Sequence, residues 1–344
     1  MHKFHHLLIS CLAGLFLSGI VAAETVALND NHPERYTVVK GDTLWDISGM
    51  FLRDPWRWPD IWYVNPQIAN PHLIYPGDVL ELSYVNGQPR LTLQRGPARL
   101  SPQVRSTPLD DAIPTVPIDA IKAFLTRPYV LEQGQLDSAP YIVAFADEHI
   151  IGGAGQRVYV RSINDSTNTK FEIVRQGDEY KDSETGEVLG HEALYIGNSL
   201  LQRTGDPATL LLTGTQIEAR EGDRLLPVSD DVALRNFHPK APDQPVNGAI
   251  ISVLNGVTQI GQFNVVVIDR GTKDGLNVGD VLNINHRGET IKDKVSPDPR
   301  DRVKLPDEKA GILMVFRTFE RVSFGVVMYA TRAIHVTDKV TNPN

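Results

Sequence analysis

Residues 36–82, YTVVKGDTLWDISGMFLRDPWRWPDIWYVNPQIANPHLIYPGDVLEL, decide the reading of the fold. Tyr36-Thr37-Val38-Val39 is a run of strand formers that enters the turn-prone Lys40-Gly41-Asp42-Thr43. Thr43 with Asp46 three residues on is a capping box, which starts a helix by satisfying its free N–H groups. Leu44, Ile47 and Phe51 then sit at helical spacing and predict one apolar face. Asp54-Pro55 breaks that helix, because proline cannot continue it. A second helix is predicted over 59–64, with Ile61 and Trp62 buried and Asn65-Pro66 as its stop. Tyr75-Pro76-Gly77-Asp78 is a turn into a second strand, Val79-Leu80-Glu81-Leu82.

The order and spacing of Tyr36, Val38, Gly41, Asp42, Thr43, Leu44, Ile47, Asn65, Pro66, Leu73, Ile74, Pro76, Gly77 and Leu80 resemble the lysin motif (LysM) family. That family is a small βααβ module that binds N-acetylglucosamine-containing polymers. The stretch departs from the family at residues 53–59, Arg-Asp-Pro-Trp-Arg-Trp-Pro, which are longer and more aromatic than usual. It also has Gly77-Asp78 where Gly-Gln is common. The resemblance implies a shallow sugar groove between two loops. Carried over by position, the first loop is Gly41, Asp42, Thr43 and Leu44. The second is Ile68, Ala69, Asn70, Pro71, His72, Leu73, Ile74 and Tyr75. The residue types suit the task, since acetamido groups need backbone donors and acceptors and glycine lets a backbone come close. Gly41, Asp42 and Thr43 would equally form a turn and helix cap without a ligand.

About four hydrogen bonds at about 1 kcal/mol each and roughly 150 Å² of apolar burial at about 25 cal/mol per Å² give about 8 kcal/mol. An association cost of at least about 4 kcal/mol leaves a dissociation constant near millimolar. One module therefore needs a second contact or oligomerisation for firm attachment. Of the four tryptophans, Trp45 and Trp62 are expected in the core. Trp56 and Trp58, inside the unusual insertion, are candidates for exposure and contact with ligand or partner.

Working outward, residues 1–23 read as a cleavable signal peptide: Lys3, an apolar run over 7–21, and small residues before Glu24. That run is shorter than the roughly 20 residues a comfortable span needs, so no transmembrane segment is expected after cleavage. The single cysteine, Cys11, lies inside the run, so the mature chain has no thiol chemistry and no disulfide. The formal charge of −8 becomes −9 when Lys3 leaves, which disfavours nucleic acid as a partner. The expected location is the periplasm.

Residues 85–117 carry Pro89, Pro97, Pro102, Pro108, Pro114 and Pro117 without periodic apolar spacing, and are expected to be an extended linker. Arg90, Arg95, Arg99 and Arg105 in it are read as solvated, in preference to contact with phosphate-bearing polymers. Residues 118–125 suggest a short helix. From Tyr141 the pattern is β, with strands expected at 141–145, 171–175, 192–196 and 209–212 in a unit over 118–228. A second β-rich unit over 246–340 is weakly similar to the small β-barrel modules of envelope proteins, with a long exposed loop over 292–309. Gly77-Asp78-Val79-Leu80, Gly222-Asp223-Arg224-Leu225 and Gly279-Asp280-Val281-Leu282 share one turn-to-strand chemistry.

The sequence thus predicts an α+β chain: an N-terminal βααβ LysM-like module over 36–84 followed by mostly antiparallel β modules. The expected function is non-catalytic binding of peptidoglycan or a related N-acetylglucosamine polymer, with an envelope protein as a possible second partner. No cofactor and no metal are expected, because His149, His191, His238, His286 and His335 show no metal-ligand spacing. The rival is a wall-remodelling hydrolase using carboxylates such as Glu148, Asp178 and Glu184 within 140–340.

Overall fold

The computed structural model describes residues 26–62, 74–94, 112–125, 130–131, 134–163, 167–228, 237–254, 259–298 and 300–343. The proposed signal segment lies outside them.

The N-terminal module pairs strands β1 (Arg35–Thr37), β2 (Val79–Val85) and β3 (Gln88–Gln94) in the order β1-β2-β3, antiparallel throughout. Helix α1 (Leu44–Phe51) begins as the capping box requires: Asp46 N–H donates to Thr43 Oγ1 at 3.1 Å. The 53–59 insertion folds into a 3₁₀ turn, Pro55–Arg57, that runs directly into α2 (Trp58–Ile61). The second helix therefore starts one residue earlier than expected and ends at Ile61. Trp58 is 2% exposed among Phe51, Ile61 and Leu91, which corrects the expectation of an exposed tryptophan at this position.

β3 lies inside the stretch expected to be a linker. Asn86 and Gly87, both at positive φ, close a two-residue hairpin with β2. Leu91 and Leu93 pack on the module core, and Pro89 is tolerated because β3 is the outer strand of its sheet. Arg90 donates to the Asp60 carbonyl and so ties β3 to α2. Arg95, Arg99 and Arg105 lie outside the described residues.

Helix α3 (Ile118–Leu125) leads into a seven-stranded antiparallel sheet ordered β10-β7-β5-β12-β8-β9-β4. Its strands are β4 (Val130–Leu131), β5 (Tyr141–Phe145), β7 (Arg157–Arg161), β8 (Lys170–Lys181), β9 (Val188–Arg203), β10 (Ala208–Thr215) and β12 (Arg224–Pro227). A small pair, β6 (Ile151–Gly152) and β11 (Ala219–Arg220), sits beside it. β10 also pairs with β9, so the sheet curls around Ile142, Val158, Ile173 and Leu210. β8 and β9 are far longer than the apolar cores that announced them: their distal halves pair with each other, β4 adds to β9 at His191 and Glu192, and Tyr180 and Leu189 are buried in one cluster with Phe124 and Phe316.

The last unit is a closed barrel, β13-β14-β19-β18-β15-β20, from β13 (Asn247–Val253), β14 (Val265–Ile268), β15 (Val281–His286), β18 (Glu308–Thr318), β19 (Ser323–Ala330) and β20 (Lys339–Thr341). Closure leaves no sheet edge. The loop expected over 292–309 carries a hairpin, β16 (Thr290–Lys292) with β17 (Arg302–Lys304).

Polar contacts bind the sheet unit to the barrel. The Asp182 carboxylate meets Arg270 at 3.0 Å, Ser183 N–H donates to Asp269 Oδ2 at 3.1 Å, and Arg321 meets Glu187 at 2.8 Å. α3 joins both, with Ile121 and Phe124 in one cluster with Tyr180, Phe316 and Phe324. Trp45 and, partly, Trp56 pack into this same cluster, so the N-terminal module is seated on the rest of the chain.

Candidate functional site

The first groove loop is a tight turn over residues 39–42. Val39 N–H donates to Asp42 Oδ2 at 2.9 Å, and Asp42 N–H donates to the Val39 carbonyl at 3.2 Å. Gly41 has φ +99° with open space around it, a backbone state that favours glycine. Tyr36 Oη donates to Asp42 Oδ2 at 3.0 Å, and burial together with this bond pushes the Tyr36 phenol above its ordinary range. Thr43 is buried and spends its hydroxyl on α1, donating to Asp46 Oδ2 at 2.8 Å while accepting from the Asp46 N–H. The Leu44 side chain is in the module core, so Leu44 offers a groove only its backbone. Of this loop, Gly41 is exposed and Asp42 half-buried.

From the second loop, Ile68, Ala69, Asn70, Pro71, His72 and Leu73 lie outside the described residues. Ile74 is fully buried, with its carbonyl accepting from Ile113 N–H at 2.8 Å. Tyr75 opens the second turn, its N–H donating to Asp78 Oδ2 at 3.0 Å.

The turn at 39–42 recurs through the chain at 75–78, 153–156, 220–223, 261–264, 277–280 and 335–338. In each, the fourth residue's side chain accepts the first residue's N–H, and its own N–H closes the turn. The third residue is at positive φ, as in a type II turn. In each of these six, the third residue's N–H and the fourth residue's C=O bind one residue of a neighbouring segment, a strand in all but the 75–78 turn. Those residues are Val38, Leu212, Ile142, Val327, Val315 and Ile250, in the same order. The 39–42 turn differs: among the described residues nothing pairs with Gly41 N–H or Asp42 C=O. Among the described residues, a donor and an acceptor thus stand open at this turn.

The groove's inner wall is otherwise engaged. Leu44 N–H donates to the Pro114 carbonyl at 3.0 Å, and Trp45 N–H to the Thr115 carbonyl at 3.1 Å. Beyond α1, a cleft of ≈ 380 Å³ opens between the module and the barrel, lined by Asn29, Trp45, Asp46, Arg53, Gln262 and Tyr329.

These observations match a known family. Residues 36–83 match the LysM domain. A Bacillus subtilis protein described as "Uncharacterized protein YqbP" is 43% identical over 60 residues, covering 14% of this chain and 27% of that protein. The likeness therefore spans about a quarter of that relative's length. The LysM domain supports N-acetylglucosamine-glycan binding in general, and the chain continues from it into the β-rich sheet and barrel. Among the described residues no helix is long and apolar enough to cross a membrane.

The histidines read as scattered do not all stay apart. The ligand atoms of His286, His335 and Asp338 lie within 4.8 Å of one another, with His286 Nδ1 at 3.0 Å from Asp338 Oδ1. The residues are up to 52 positions apart and meet only when the barrel closes. Asp338 is already held as the fourth residue of the 335–338 turn. Of the carboxylates considered for hydrolysis, Glu184 sits in the turn between β8 and β9, its N–H bonded to Asp182. Asp178 lies on β8, and Glu192 on β9 is pushed up by burial and, next, by Asp178. The side chain of Glu148 is outside the described residues.

Proposed function

We propose that this protein binds peptidoglycan, or a related N-acetylglucosamine polymer, in the bacterial periplasm without cleaving it. The LysM domain supplies the sugar contact. The sheet unit and barrel behind it serve as the structural platform or as the docking surface for an envelope protein. The observation that carries this reading is the open edge at Gly41 N–H and Asp42 C=O. Six turns of the same design spend those two groups on a neighbouring segment, whereas the groove turn leaves them unpaired among the described residues. A glycan's acetamido and hydroxyl groups supply the complementary acceptors and donors. The N-terminal stretch of Lys3, apolar residues and a small-residue cleavage site supports export.

The test uses purified mature protein and insoluble peptidoglycan. Co-sedimentation is expected, and Gly41→Val, which forces a β-branched residue into positive φ, is expected to reduce it. No soluble muropeptide is expected in the supernatant. Release of muropeptides would establish the hydrolase reading, and failure of the wild-type chain to co-sediment would leave the LysM domain a purely structural module.

A further inference from the structure

Residues 112–117 form a strap that joins Ile74 to Leu44 and Trp45, and its bonds are of one kind. Ile113 N–H donates to the Ile74 carbonyl at 2.8 Å, from the second groove loop. The carbonyls of Pro114 and Thr115 accept from Leu44 N–H at 3.0 Å and Trp45 N–H at 3.1 Å, from the end of the first. The strap thus bridges the same two loops between which the sugar is expected to lie. The side chain of Ile113 is buried in the LysM core, while Thr115 and Val116 are buried at its border.

The chemistry of these bonds is that of a secondary amide. An acetamido group is also a secondary amide, with one N–H to donate and one C=O to accept. The strap presents to the groove the donor and acceptor types that an N-acetylated sugar would present. Leu44 N–H and Trp45 N–H belong to the first turn of α1, whose N–H groups have no partner within the helix. They are therefore satisfied by the strap or by whatever replaces it.

We propose that the strap is a built-in competitor for the groove, and that N-acetylglucosamine oligomers reach its inner wall only by displacing residues 113–115. This rests on the glycan-binding reading above. Gly41 and Asp42, on the open rim, make first contact. Exchange of one set of amide bonds for another follows, at Leu44, Trp45 and Ile74. The apparent affinity falls by the fraction of time the groove is free, so a groove open about one part in ten binds about ten-fold more weakly than its free form. Displacement also reaches beyond the module. Val116 lies in one cluster with Trp45, Ile121, Phe124 and Phe316, so a freed strap loosens the seat of α3 on the barrel.

The experiment uses the full mature chain and a chitin tetrasaccharide, with calorimetry for affinity and amide exchange for the strap. In the wild type, saturating tetrasaccharide is expected to raise the exchange rate of the Ile113 amide, whose bond to Ile74 is broken. Ile113→Ser, which removes the strap's apolar anchor, is expected to speed exchange at Leu44 and Trp45 and to tighten binding about ten-fold. The wild-type measurement needs no variant and stands even if Ile113→Ser unfolds. Persistent protection of Ile113 at saturation would overturn the proposal while leaving glycan binding intact. So would Ile113→Ser with exposed Leu44 and Trp45 amides and wild-type affinity. Absence of binding to both proteins, strap released, would overturn the glycan reading itself and leave the strap a helix cap.

Discussion

The turns at 39–42 and 277–280 share a glycine at positive φ and an aspartate that accepts the first residue's N–H. They differ in what stands beside them. Gly279 N–H and Asp280 C=O are both bonded to Val315 at 2.8 Å, and a Cβ on Gly279 would come within 2.4 Å of the His238 carbonyl. Gly41 has nothing within 4 Å of the same position. One turn seals a barrel, and the other has no strand on that edge among the described residues. A local motif therefore sets the shape of the turn, and the neighbouring strand decides whether the turn is scaffold or site.

This contrast can be broken by mutation, most severely at the sealed turns. Asp223 is 3% exposed, caps its own turn and forms a two-pronged pair with Arg175 at 2.7 and 2.9 Å. Asp223→Ala removes the turn's cap and leaves the partly exposed Arg175 guanidinium only the Glu218 carbonyl, so a loss of roughly 3 kcal/mol in urea unfolding is expected. Gly279→Ala is expected to cost about 3 kcal/mol, combining strained φ with a clash against backbone. In the open turn, Gly41→Ala meets only the strained φ. A cost of about 1 kcal/mol is expected, with weakened glycan binding as the larger signal. Equal destabilisation by the two glycine substitutions would erase the distinction between sealed and open turns.

A smaller effect concerns the seam between sheet unit and barrel. Backbone N–H groups of Thr185 and Glu184 and the Arg270 guanidinium hold the Asp182 carboxyl down at about 2, against an ordinary 3.8. A depressed acid contributes stability above its unfolded pKa and loses it as pH falls toward the folded value. The difference in melting temperature between wild type and Asp182→Asn should accordingly be full at pH 5 and shrink between pH 4 and pH 2. A difference that stays constant over that window would detach Asp182 from the seam's stability.

Much of the LysM domain is legible in its sequence because its signals are short-range: Thr43 with Asp46, the two Gly-Asp turns, the apolar spacing of Leu44, Ile47 and Phe51. What escaped reading depends on distant partners. Residues 88–94 were obscured by proline, although Asn86-Gly87 between two alternating runs is a strong hairpin signal. Prolines also hide the strap. Pro114 has no N–H to give, yet its carbonyl is free to accept, and Ile113 and Val116 supply apolar anchors on either side. Trp58 stands in an insertion that looked exposed until Ile61 and Leu91 closed over it. Three of the recurrent turns went unmatched because Thr337 and Phe263 replace the glycine, or Gln156 and Asn264 the aspartate. The grouping of His286, His335 and Asp338 needs the closed barrel.

In the proposed function the sugar lies in the groove beside Gly41. Backbone amide shifts of the full mature chain, followed during titration with a chitin tetrasaccharide, test it most directly. The prediction is saturable movement of the Gly41, Asp42, Leu44 and Trp45 amides, with a dissociation constant near millimolar. Shifts confined to the barrel or the sheet unit, with Gly41 still, would contradict it.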